Sequence, residues 1–455
     1  MKLGNVFYVG NAHEVEHHAA PLKELRNIRV SSIQETLQAA KAGDLAIFFS
    51  EHFHETREAI QRLKQANVAT LYAIDGILEW RNAWVNRVDE PACPWTMRPS
   101  LCHKIACIGP SQHRILSGWG NADRLELVGI PRFDDWVARR PTFQDSIRRW
   151  QNRTSNRVLV LTAKTPAFTA RQREVTLQGL RDLRDSLSSS DPSSAPFEVT
   201  WRLTDDLAND LGVENQLGSL QGHDLHTQIE AADFVVATPS TAMLEAMLRG
   251  RPVVRLDYHQ VPGLTDAAWK IQSADHLATC WQQLLDDSPN GRADMARRLQ
   301  WQERVLEDSL WCRPQASSRM CKLIEKMLVQ GQTAVQQGEE LVFDRCLLPV
   351  DPADEGLARA TLFDLKLLYP DYPEFQETDV LTLQQSTADL RRHQQQLQAR
   401  VDQLQAELGE AHQIFEQIQQ HPIAGPIVRG RQRMLEWWRR RRGADSASKS
   451  EHVES

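Results

Sequence analysis

One regularity constrains this chain more than any other. Nine short apolar runs recur through residues 5–257: NVFYVG, DLAIFFS, VATLYAI, KIACIG, LELVGI, RVLVLTA, FEVTWRL, DFVVATP and PVVRLD. Each is bounded by turn residues, and helical patterns such as 54–66 and 111–118 lie between several of them. Strand-like runs alternating with helices predict α/β layering around mostly parallel sheets. The polar, proline-interrupted stretch RFDDWVARRPTFQDSIRRWQNRTSN divides the runs into two sets. Two domains are therefore expected, over 1–150 and 151–330, the second closed by a helical pattern from about 290 that carries Trp301, Leu306, Trp311 and Leu323. The Ser/Asp/Pro segment 186–196 reads as a surface loop.

At 455 residues the chain has room for two or three domains. A net charge of −7 argues against general nucleic-acid affinity. With no apolar run of about 18 residues, no membrane span is expected. The opening MKLGNVFYVGNAHEVEHH turns polar too soon for a signal peptide. Seven scattered cysteines form no disulfide-like framework, which fits a reducing cytoplasm. Cys93, Cys102, His103 and Cys107 match none of the paired zinc hooks, and HEVEHH is not the helical His-Glu-x-x-His pattern, so no metal is expected.

Beyond a mixed region over 331–379, residues 380–420 carry a heptad pattern. One seam is Leu383, Leu390, Leu397, Leu404, Ala411 and Ile418; the other is Val380, Thr387, Gln394, Val401, Leu408 and Phe415. Alternating spacings of three and four predict a coiled coil and with it a homodimer, a single solvated helix being the alternative. Pro422 and Pro426 stop that helix. The tail over 421–455 contains PIVRGRQRMLEWWRRRR, whose tryptophans and arginines over 427–442 suit an anionic membrane surface at the inner face.

The most informative local stretch is DFVVATPSTAMLEAMLRGRPVVRLD, 233–257. FVVA is apolar at every position, as expected of a strand covered on both faces. Ser240 or Thr241 can cap the following helix, Gly250 can end it, and Pro252 prevents its continuation. Ligands of open α/β sheets bind beyond the carboxyl ends of the strands, where this Ser-Thr turn falls. A helix start there suits a phosphate. Thr241 and Glu245 share one helical stripe. A carboxylate in that place can accept bonds from two neighbouring hydroxyls such as those of a ribose. Alternatively, Glu245 pairs with Arg249 or Arg251, or faces water.

The pattern Asp-Phe-Val-Val-Ala-Thr-x-Ser-Thr-x-x-x-Glu-Ala-x-x-x-Gly-x-Pro-Val resembles the donor-binding segment of GT-B glycosyltransferases and their relatives. Those relatives include CDP-glycerol glycerophosphotransferases and UDP-N-acetylglucosamine 2-epimerases. LVGIPRFD, 127–134, is similar to the turn after the last strand of their N-terminal domain. The resemblance covers about residues 1–330 and implies two Rossmann-like domains facing across a cleft, with the nucleotide held mainly by the second. It also implies donor contacts at Thr162, Lys164 and Thr165 in LTAKTPAF, at Arg202 in WRLTDD, and at His223 in QGHDLHTQIEAAD. Ser240, Thr241 and Glu245 complete that set. WRLTDD departs from the family's Arg-x-His-Pro: Thr204 stands for the histidine and Asp205 for the proline.

A catalytic base is expected from the first domain. Two loops offer candidates: GNAHEVEHHAAP with His13, Glu14, Glu16, His17 and His18, and AIDGILEWRN with Asp75 and Glu79. No Asp-x-Asp occurs, which fits a metal-independent enzyme with no cofactor. The expected activity is transfer of a sugar from a nucleotide-diphosphate donor to a surface-glycan or lipid-linked acceptor, in the cytoplasm. Polyol-phosphate transfer, 2-epimerisation and a non-catalytic scaffold are the alternatives.

Overall fold

The computed structural model describes residues 4–10, 28–79, 97, 99–167, 169–188, 197–204, 206–214, 225–259 and 264–349, with 398, 401 and 405. In chain order the first elements are β1 (Val6–Val9), β2 (Ile28–Ser31), α1 (Ile33–Ala39), β3 (Leu45–Phe48), α2 (His54–Gln65), β4 (Ala69–Ala73) and β5 (Lys104–Cys107). Then come α3 (Pro110–Leu116), β6 (Leu125–Leu127), a 3-10 turn at Pro131–Phe133, α4 (Asp134–Ala138) and α5 (Phe143–Gln151). The second half has β7 (Asn156–Leu161), α6 (Ala170–Ser188), β8 (Phe197–Arg202), α7 (Leu207–Leu211), α8 (Leu225–Ala231), β9 (Phe234–Ala237) and α9 (Ala242–Leu248). It ends with β10 (Val253–Leu256), β11 (Trp269–Ile271), α10 (Asp275–Leu285), α11 (Pro289–Ser309) and α12 (Ala316–Gln337).

Two sheets result, and all their described strand pairs are parallel. The first runs β2-β1-β3-β4-β5-β6 and the second β11-β10-β9-β7-β8. β1, β3, β4, β5, β9 and β10 are buried at every position, which is why they read as unbroken apolar runs rather than alternating ones. Strand order reverses between β1 and β3 in the first sheet and between β7 and β9 in the second. These reversals open crevices at the carboxyl ends of the strands, where ligands of such sheets bind.

Sequence-local signals set several helix ends. Ser32 with Glu35 and Thr142 with Asp145 form capping boxes at the starts of α1 and α5. Gly250 takes φ +65° just past α9, and Arg251 N–H returns to the Ala246 carbonyl, as expected of a glycine-terminated helix.

The chain returns to the first sheet at its end. The sequence expectation closes the second domain with residues 290–330. Instead, α12 buries Met320, Leu323, Ile324, Met327 and Leu328 against Val6, Tyr8, Ile47 and Leu71 of the first sheet. Asp134 fixes the start of that helix, accepting bonds from Ala316 N–H (2.6 Å) and Ser317 N–H (2.9 Å). The segment after it is tied down by a buried ion pair. Lys104 and Glu126 lie 2.7 Å apart, and Glu126 also accepts from the backbone N–H groups of Leu347 and Leu348. A buried pair whose remaining oxygens are hydrogen-bonded avoids the penalty of an isolated charge.

Among the described residues no helix is long and apolar enough to cross a membrane. The expected coiled coil over 380–420 lies outside the described residues except at Gln398, Val401 and Gln405, each helical. The tail over 421–455 lies wholly outside them.

Candidate functional site

The second sheet's crevice is assembled from the loops after β7 and β9. Thr238 N–H donates to the Leu161 carbonyl (3.0 Å), and Ala163 N–H donates to Thr238 Oγ1 (2.8 Å). These bonds tie the loop that carries Thr162, Lys164 and Thr165 to Thr238, two residues before Ser240. Lys164 and Thr165 are exposed, while Thr162 is half-buried. Thr162 Oγ1 lies 3.0 Å from Thr204 Oγ1, and the Thr204 hydroxyl donates to the Ala163 carbonyl (2.6 Å). The residue standing where the family has histidine thus braces the loop after β7. Arg202 reaches Gln228 Oε1 (3.2 Å) from the end of β8.

At the helix start the structure corrects one expectation. Neither Ser240 nor Thr241 caps α9 through its side chain. Thr241 Oγ1 instead accepts from Ile77 N–H of the first domain at 3.2 Å. Gly76 makes that approach possible, since a Cβ there would stand 2.1 Å from Thr241 Oγ1. Ser240 is 9 % exposed, and its hydroxyl is buried without a hydrogen-bond partner among the described residues. A buried hydroxyl left without a partner costs about 1–3 kcal/mol, a cost that an ordered water or a ligand atom relieves.

Glu245 is 7 % exposed on a helix otherwise buried among apolar side chains. Among the described contacts, Arg249 and Arg251 are engaged elsewhere. Arg249 lies 3.4 Å from Glu230 and covers the Trp136 ring at 4.2 Å, and Arg251 donates to the Glu230 carbonyl. Glu245 faces Arg132 Nη2 at 3.6 Å and His226 Nε2 at 3.8 Å. Both distances are longer than a hydrogen bond; the Arg132 contact is an ion pair, and the His226 contact becomes one when its imidazole is protonated. Arg132 is held in turn by the Asp75 carbonyl, which accepts from Nη1 at 2.9 Å. The His226 ring packs edge-on to Trp136 with centroids 3.6 Å apart.

The two stretches that carry the family resemblance therefore meet in space. Arg132 comes from the turn after β6 and Glu245 from α9, each at the carboxyl end of its own sheet. Asp75 sits half-buried after β4, beside the Gly76–Ile77 backbone that touches Thr241. The domain boundary is further joined by the buried Arg114–Asp308 pair between α3 and α11. His13, Glu14, Glu16, His17, His18 and His223 fall outside the described residues.

Arg132, Trp136 and His226 are the residues that sequence reasoning missed at the site. Arg132 and His226 stand inside the quoted LVGIPRFD and QGHDLHTQIEAAD stretches, yet nothing local marks either as a partner of Glu245. Their role depends on the docking of the domains.

No family model and no curated protein matches the chain. Solved structures similar to it include one described as a UDP-N-acetylglucosamine 2-epimerase from Listeria monocytogenes, with 11% identity and a TM-score of 0.45 over 77% of this chain and 100% of that one. The wall teichoic acid polymerase TagF has 14% identity and a TM-score of 0.41, over 74% of this chain and 90% of that one. The S. aureus protein TarM, in a complex with UDP, has 11% identity and a TM-score of 0.35, over 64% of this chain and 57% of that one. The fold itself rests on the strand order of the two sheets and on the returning helix α12. The chain is an α/β protein with two Rossmann-like domains, each built on its own parallel sheet.

Proposed function

We propose that the chain is a glycosyltransferase that uses a nucleotide-diphosphate sugar and acts on a surface-glycan or lipid-linked acceptor. The observation that carries this reading is the buried Glu245 carboxylate one turn beyond the unpartnered Ser240 hydroxyl, at the strand-order reversal of the second sheet. Ser240 bonds a donor phosphate oxygen, and Glu245 accepts from the ribose hydroxyls at about 1.5–3 kcal/mol per bond. Lys164 and Arg132 supply positive charge where the leaving diphosphate develops its own. Thr162, Thr165, Arg202 and Thr241 complete the donor cradle, with His223 reaching the base or phosphate.

Asp75 is the favoured base toward the acceptor hydroxyl, since it follows first-domain strand β4 beside the Thr241 contact. His13, Glu14 and His17 are the other candidates. Charge neutralisation by these basic groups lets the transfer run without a metal or cofactor. Pairing through 380–420 makes a dimer. The basic segment 427–442 holds the chain at the inner face of an anionic membrane, near a lipid-linked acceptor.

A second reading has support in Thr204. Its hydroxyl is spent on Ala163 and Thr162, so the position offers no imidazole to a donor. That favours a nucleotide-binding scaffold without turnover, with polyol-phosphate transfer and 2-epimerisation as the enzymatic alternatives. Product analysis with UDP-sugars and CDP-glycerol separates the readings. A transferred sugar supports the first, transferred glycerol phosphate or an epimer the second, and binding without product the scaffold.

A further inference from the structure

The second domain carries a cleft of about 550 Å³ at the edge of its sheet, two strands from β9 and its donor turn. That volume falls in the range of small-molecule sites. One wall is a single stripe of α10, formed by His276, Thr279 and Gln283. The facing wall is Arg297, Arg298 and Trp301 of α11, and the floor is Asp266, Lys270 and Trp269 around β11. None of these residues belongs to the cradle described above.

The chemistry of this lining is specific. Lysine and two arginines stand against one lining carboxylate, with the His276 imidazole also in the lining. Asp266 is held by Lys270 at 2.8 Å and by the buried Arg255 at 3.6 Å. Asp294 pairs with both arginines, and Arg298 also donates to the Ala268 carbonyl at 3.1 Å. A guanidinium carries five N–H donors, so these contacts leave others for a ligand. Arg297 in particular keeps 77% of its side chain exposed. The Trp269 indole N–H is buried in a residue 2% exposed and has no hydrogen-bond partner among the described residues. A buried indole N–H ordinarily finds one.

Aromatic faces bind the apolar face of a sugar ring, amide and hydroxyl side chains bond its hydroxyls, and guanidinium groups pair with acidic substituents. We propose that this cleft is an acceptor subsite for a saccharide segment bearing carboxylate or phosphate groups. It deepens the glycosyltransferase reading, on which the word acceptor rests. Trp301 stacks on a ring, Thr279 and Gln283 bond its hydroxyls, and Arg297 pairs with the acid group. A growing anionic glycan is thereby held on the domain that also holds the donor.

The test uses the full chain in affinity electrophoresis and calorimetry. The probes are an oligogalacturonate for carboxylate, a glycerol-phosphate oligomer for phosphate and maltohexaose as a neutral control. One acidic probe should bind and the neutral one should not, with the stronger acid probe naming the substituent. Arg297→Gln and Gln283→Ala should each weaken binding at least fivefold with unchanged thermal unfolding. Loss of affinity between 50 and 200 mM salt is expected as well. Absence of binding by either acidic probe overturns the proposal, as does binding unchanged in both variants or equal binding of the neutral probe. UDP and CDP binding, measured in parallel with Glu245→Gln as its control, keeps the two readings apart. Nucleotide binding without glycan binding removes only this subsite, and glycan binding without nucleotide binding removes only the transferase reading.

Discussion

Arg132 Nη2 lies 3.6 Å from Glu245 Oε1, so the turn after β6 and helix α9 are joined across the domain boundary by opposite charges. Both side chains are largely buried, with 14% and 9% of their areas exposed. Removing one partner leaves the other charge poorly compensated, whereas removing both is milder. Arg132→Gln and Glu245→Gln should therefore be non-additive. A coupling energy of about 0.5–3 kcal/mol is expected from denaturant unfolding of the two single variants and the double. Additive effects would mean that the contact does not join the domains.

The Gly76–Thr241 contact predicts a clash with a specific rescue. Gly76→Ala places a Cβ 2.1 Å from Thr241 Oγ1, so the docked loops must separate. Overpacking of this kind costs about 1–3 kcal/mol. Thr241→Ala removes the offending oxygen, so the double variant should regain stability relative to Gly76→Ala alone. Thermal unfolding reads this directly, and a double variant no better than Gly76→Ala would contradict the contact.

Asp75→Asn keeps the backbone carbonyl that holds Arg132 and replaces only the side-chain carboxyl group with an amide. With Asp75 as the base, turnover should fall about 10²–10⁴-fold while donor affinity is retained. Near-normal turnover would move the base to the loop containing His13, Glu14 and His17.

The strands were legible because burial on both faces makes each one an apolar run, and the glycine-ended helix Ala242–Leu248 was legible because its stop signals are local. What escaped was set by distant docking. Thr241 looks like a cap, yet its hydroxyl serves Ile77, 164 residues away in sequence. Glu245 has two arginines close by in the chain, and it faces Arg132 instead. The amphipathic pattern of α12 marks a helix but cannot say which of two apolar sheets it covers. Thr204 showed a departure from the family pattern without revealing that its hydroxyl would brace the loop after β7.

His103 predicts a pH dependence of stability. Its Nδ1 accepts from Thr70 N–H at 3.0 Å, and burial, with Lys64 and Arg124 nearby, pushes its pKa down to about 3 from 6.5. The unfolded chain then binds the extra proton first, so this contribution is present above pH 6.5 and is lost as pH falls toward 3. The loss should approach about 1.4 kcal/mol per pH unit within that window. Denaturant midpoints of the natural chain and of His103→Gln should converge as pH drops from 7 to 4. Parallel profiles would contradict the assignment.

The most direct test of the account is nucleotide binding at Glu245. Thermal unfolding and calorimetry of the full chain with UDP, CDP and their sugar or glycerol conjugates measure it. A true ligand at a hundredfold excess over its dissociation constant stabilises by about 2.7 kcal/mol. Glu245→Gln should keep the fold and weaken that ligand by about 1–3 kcal/mol. No stabilisation by any of these nucleotides, or equal affinity in Glu245→Gln, would contradict the donor site proposed here.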